Sequence, residues 1–228
     1  MNFVLWCYDA RRAVPVWCAC LVVVSALALL LDGPLTQGDV DWIWQSAGLC
    51  VGTLIAWRVF ADTGGTQAFV FSRGFSRNRL FWNRWALGMS LVAVLVFWMW
   101  LILAGGLRSG WRQFAGFEDA GLYPLIAPFE TIVVPTFAGA GFATFAVTAL
   151  LVIVRGIQRP GLVVGGRGTL VWWMVDVPLC LVASRIVLAL LTDAPFASPW
   201  VVAGWGVVVT PLTTWAAWHG YRHLEVSS

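Results

Sequence analysis

The sequence predicts an all-α polytopic membrane protein, a single transmembrane domain over residues 1–228 with six helical spans and both termini cytoplasmic. Three observations carry this. Of the 228 residues 60% are hydrophobic and only 11% charged, and sixteen are Trp; with a mean hydropathy of +0.82, that is more apolar surface than a soluble domain hides. The apolar runs are near the length of about 20 residues that a helix needs to cross hydrocarbon, and they lack the alternation of barrel strands. The arginines gather on alternate loops.

In chain order, residues 1–13 form an interfacial segment, with Arg11 and Arg12 ahead of the first span at 14–31. That run is long for a signal-peptide core and has no small-residue cleavage site before the acidic loop, so it stays in the membrane. The second span covers 42–61. A basic cytoplasmic loop, 62–84, follows, ending in FVFSRGFSRNRLFWNR from Phe69 to Arg84. The third span covers 85–107 and the fourth 129–154, where Gly139, Ala143, Ala146 and Ala149 lie near one face and admit a close neighbour, in this chain or a second copy. The fifth covers 169–191 and the sixth 200–218. Pro135, Pro178 and Pro211 interrupt the last three, as hinges or tolerated kinks.

Eleven arginines (Arg11, Arg12, Arg58, Arg73, Arg77, Arg79, Arg84, Arg155, Arg159, Arg167 and Arg222) fall on one side of this arrangement, and Arg108 and Arg112 on the other, which places the first side in the cytoplasm. Basic residues confined to membrane-flanking loops argue against nucleic acid as a partner.

The chemistry is narrowed by what is missing. The chain contains no lysine, so it has no P-loop, no Schiff-base amine and no lysine base, and it is not its own P-loop ATPase. Gly165-Gly166-Arg167-Gly168 reads as a flexible turn. His219 and His223 share a helical face but have no third ligand, and suit an interfacial anchor better than a metal. Cys7, Cys18, Cys20, Cys50 and Cys180 show no ligand spacing and read as small apolar residues, with neither disulfide nor metal. No mid-membrane histidine is available to hold haem, and no base sits at the depth of Ser25, Ser90 or Ser184. No catalytic residue, cofactor or metal is therefore expected. Glu130, Asp176 and Arg185 are ionisable residues inside spans, where charge costs about 2.5–3.5 kcal/mol or more. Glu130 and Arg185 pair or snorkel to the outer interface; Asp176, beside Pro178, is either a satisfied buried group or part of a polar translocation path.

The segment after the second span, with Asp62, Gly65-Thr66 and Ser72-Arg73-x-x-Ser76-Arg77, resembles the cytoplasmic loop of type-two ABC exporter permeases, although Gly74 stands where proline is usual. The layout is similar too: an N-terminal interfacial helix, six spans, both ends inside. The resemblance implies a permease subunit of the cell (inner) membrane, working as a homodimer or with a second permease. It also implies that a separate ATPase energises the subunit by docking on Thr66, Phe69, Arg73, Phe75, Arg77 and Arg79. A nonenzymatic membrane scaffold is the alternative. A gradient-driven carrier is a weaker one, because the sequence shows no inverted repeat.

Overall fold

The structure, a computed structural model, describes residues 3–30, 37–60, 76–104, 129–158 and 199–222. They form five α-helices: α1 (Phe3–Leu30), α2 (Gln37–Phe60), α3 (Arg77–Ala104), α4 (Phe129–Gln158) and α5 (Pro199–Arg222). Among the described residues there is no strand. Four helices contain stretches long and apolar enough to cross a membrane: Asp9–Leu29, Ile43–Phe60, Arg77–Leu103 and Val133–Val154. The expected fifth span at 169–191, with Asp176, Pro178 and Arg185, lies outside the described residues. The sixth falls within α5, which carries no Asp, Glu or Arg before Arg222.

Two helices start earlier than hydropathy alone suggests. α1 is continuous from Phe3, so the segment read as interfacial and the first span are one helix. α3 starts at Arg77, well before residue 85. Ser76 explains the second start. Its Oγ accepts the backbone N–H of Arg79 at 3.3 Å, and its carbonyl accepts that of Leu80 at 3.0 Å, so it caps the helix and satisfies donors that a first turn leaves open.

Packing fixes the relative directions. α1 and α3 run side by side in the same direction: the Trp17 indole donates to the Leu91 carbonyl at 3.0 Å and the Trp98 indole to Ser25 Oγ at 2.9 Å, across offsets of 74 and 73 residues. α2 and α4 also run parallel. Trp44 meets Phe137 edge-on at one end, 6.3 Å between centroids, and Phe60 meets Phe145 further along at 6.2 Å. α3 opposes both, since its beginning packs on the end of α2 through Phe81 and Phe60, 5.9 Å apart. α5 runs with α4: Gly206 abuts Gly139, while Tyr221 reaches Phe81 at the start of α3.

α4 is the central helix. One face takes α2 at Phe137, Ala140, Gly141 and Phe145; the face turned away from it takes α5 at Gly139. A Cβ on Gly48 would stand 2.6 Å from the Phe137 carbonyl oxygen, and one on Gly206 would stand 2.9 Å from the Gly139 Cα. These backbones touch because no side chain separates them. The small residues expected on α4 (Gly139, Ala143, Ala146 and Ala149) are all buried, and the neighbours settled here are helices of the same chain. Val22, Val23, Val94, Phe97, Trp100, Val207, Leu212 and Trp215 face outward instead. In water they would form an aggregating patch, whereas against lipid they cost nothing.

Candidate functional site

One end of the bundle gathers nearly all the described polar chemistry. The beginnings of α1 and α3 meet the ends of α2 and α5 there, a consequence of the helix directions. Arg11, Arg12, Arg58, Arg77, Arg79, Arg84 and Arg222 stand at this end against one carboxylate among the described residues, Asp9.

The deepest element is an ion pair. Arg84 Nε lies 3.6 Å from Asp9 Oδ2, and both side chains are almost completely buried, at 1% and 4% exposure. A buried charge is tolerated when a partner offsets its desolvation, and the parallel register of α1 and α3 brings that partner to Arg84. Asn83 beside it is also buried, and neither its amide nitrogen nor its amide oxygen has a hydrogen-bond partner among the described residues.

Around the pair, three cross-links tie helix ends together. Arg58 Nε donates to the Arg12 carbonyl at 2.8 Å, joining α2 to α1. Arg77 Nη1 donates to the Arg222 carbonyl at 3.1 Å, placing a cation on the C-terminus of α5, where the helix dipole favours it. The Trp218 indole donates to Asn78 Oδ1 at 2.8 Å, and the Arg222 guanidinium lies over the Trp218 ring, 5.0 Å from its centroid. Beneath these bonds sits an aromatic layer. Phe81 stacks on Trp85 at 5.7 Å, Trp85 meets Phe145 at 5.1 Å, and Phe60 and Tyr221 pack against Phe81. The start of α3 is therefore held by α1, α2, α4 and α5 together.

Of the residues expected to dock a partner, Arg77 and Arg79 are described. They lie in the capped first turn of α3 with Arg79 exposed, and Arg77 is already engaged with α5. Thr66, Phe69, Arg73 and Phe75 lie outside the described residues, in the stretch between α2 and Ser76. Of the intramembrane candidates, Glu130 falls in the first turn of α4 with its side chain outside the description; Asp176 and Arg185 lie outside it altogether. His219 stacks on Trp215, 5.8 Å between ring centroids, and His223 is outside the described residues. Among the described residues no three His, Cys, Asp or Glu side chains gather as a metal site.

Sequence reasoning missed Asp9 and Arg84. The available signal was that Asp9 is an acid on the arginine-rich side and Arg84 an arginine directly against an apolar run. An open groove of about 450 Å³ between α4 and α5, closed on one side by Met89 of α3, is lined by Pro135, Phe142, Gly206, Thr210 and Pro211 among others. It offers apolar walls and no charge. No family model matches the chain, and neither does any curated protein or solved structure.

Proposed function

We propose that this chain is the membrane-spanning permease subunit of an ATP-driven exporter in the cell membrane, energised by a separate ATPase. That ATPase docks on the loop between α2 and α3. One observation carries the reading: the start of α3, where the loop enters the bundle, is bonded or packed to every other described helix. A loop serving only as a topological anchor has no need of such bracing. A loop that receives force does, because a push on it reaches α2 through Phe60 and Phe81, and α5 through Asn78, Trp218 and the Arg77 bond.

Six spans with both termini cytoplasmic belong to the same reading. The parallel directions of α4 and α5 support it, since α4 ends and α5 begins at opposite ends of the bundle. The absence of lysine leaves ATP hydrolysis to another subunit. Pairing with a second copy or a second permease completes the assembly, and Glu130, Asp176 and Arg185 are the candidates for a polar path. The scaffold reading keeps one observation of its own. Between α2, α4 and α5 the described interior is packed backbone to backbone, and its buried polar groups, away from the braced end, are threonine hydroxyls and one indole.

The topology is tested by placing cysteine at Gly38, Gly121 or Gly74 in a Cys-free version. An impermeant thiol reagent added outside intact cells labels the first two and spares the third; labelling at Gly74 overturns the orientation.

A further inference from the structure

Arg58 poses a problem that the docking loop does not solve. It sits in the last turn of α2, half-buried, inside a stretch apolar enough to lie in the membrane. Its Nε is committed to the Arg12 carbonyl at 2.8 Å, which sets the guanidinium plane against α1. No acid among the described residues pairs with it: Asp9, the one carboxylate among the described residues at this end, faces Arg84. Arg11, exposed and next to Arg12 on α1, extends the same corner. A partly desolvated cation is stabilised by an anion that reaches it. The two outer nitrogens of a guanidinium whose Nε is spoken for form a fork matched to phosphate.

We propose that the corner formed by Arg11, Arg12 and Arg58 binds the phosphate of an anionic membrane lipid. Depth selects a lipid over a soluble anion. Arg12 and Arg58 both fall within the ends of membrane-length apolar stretches, Asp9–Leu29 and Ile43–Phe60, the level at which headgroup phosphates lie and long cationic side chains reach them. Half-buried Trp57, the neighbour of Arg58, is the kind of indole that interfaces favour. The site is independent of the ATPase reading, because it uses the α1–α2 corner and not the loop.

The test is native mass spectrometry of the full chain in detergent, titrated with phosphatidylglycerol, with phosphatidylcholine and with inorganic phosphate alone. Wild type retains phosphatidylglycerol about tenfold more strongly than phosphatidylcholine, and Arg58→Gln removes that preference. Arg11→Gln, on an exposed side chain that does not endanger folding, weakens it severalfold. Arg222→Gln, at the same end but on α5, leaves it unchanged. Equal retention of the two lipids by wild type overturns the proposal. Equal loss in Arg222→Gln and Arg58→Gln reduces it to diffuse charge attraction and also overturns it. Millimolar phosphate binding as well as the lipid assigns the corner to a free anion instead. Unchanged lipid retention in Arg58→Gln, with loss of a copurifying protein, assigns it to protein docking.

Discussion

The seam between α2 and α4 and the seam between α1 and α3 join parallel helices by opposite means. Along α2 and α4 the glycines Gly48, Gly52 and Gly141 let main chain approach main chain. Along α1 and α3 the helices stand further apart and exchange polar bonds: one indole in each direction, and the Asp9–Arg84 pair. Burial follows the same division, with 61% of the α4 stretch buried inside the bundle against 22% of the α1 stretch. Lipid tails are as apolar as leucine, so helices in a bilayer associate by close packing or by polar bonds, not by hiding apolar surface. This protein uses the first means at its centre and the second at its edge. Edge polar bonds leave α1 a separable element with a defined register, while the central helices form one body.

The comparison makes three stability predictions, read as unfolding of the purified protein in detergent. The largest effect belongs to the polar seam. Asp9→Ala leaves Arg84 buried without its counter-charge and costs about 3–5 kcal/mol, whereas the double replacement Asp9→Leu/Arg84→Met is close to neutral. A double variant as unstable as the single one contradicts the assignment of that cost to an orphaned charge. Next comes the packed seam. A Cβ at Gly52 would stand 2.9 Å from the Phe145 nitrogen and nearer still to the Gly141 carbonyl, so Gly52→Ala forces the helices apart and costs about 1–3 kcal/mol. Gly204→Ala is its control, since a Cβ there meets nothing within 4 Å. Equal effects at the two glycines erase the distinction between seams. The smallest is Trp98→Phe, which removes one interhelical hydrogen bond and costs about 0.6 kcal/mol, the usual value for such bonds in membranes.

The fold class was legible because it depends on composition and run length, which are local. The small residues of α4 were legible as a packing face, but their partners, Gly48, Gly52 and Gly206, were not: a glycine in an apolar run carries no sign of which backbone it meets. The start of α3 was hidden for a different reason. Arg77, Arg79 and Arg84 depress hydropathy and read as loop, yet the helix forms because Ser76 caps it and Asp9 offsets the one arginine turned inward. That compensation comes from a residue distant in sequence. Within the candidate site, Arg77 and Arg79 were identified from the loop pattern. The bonds of Arg77 to Arg222 and of Asn78 to Trp218 depend on α5 ending beside α3, which no local pattern encodes.

The central claim is that the α2–α3 loop is a coupling segment for a separate ATPase, and Arg73, Phe75 and Arg77 test it most directly. Arg73→Lys/Arg77→Lys keeps the positive charge that orients the chain but removes the forked donors, and Phe75→Ala removes the apolar anchor between them. The measurement is copurification of the ATPase with each variant, beside abundance in the membrane. The account predicts normal abundance with the ATPase lost from both. Normal abundance with the ATPase bound as in wild type contradicts it and leaves the loop as a topological anchor on a membrane scaffold.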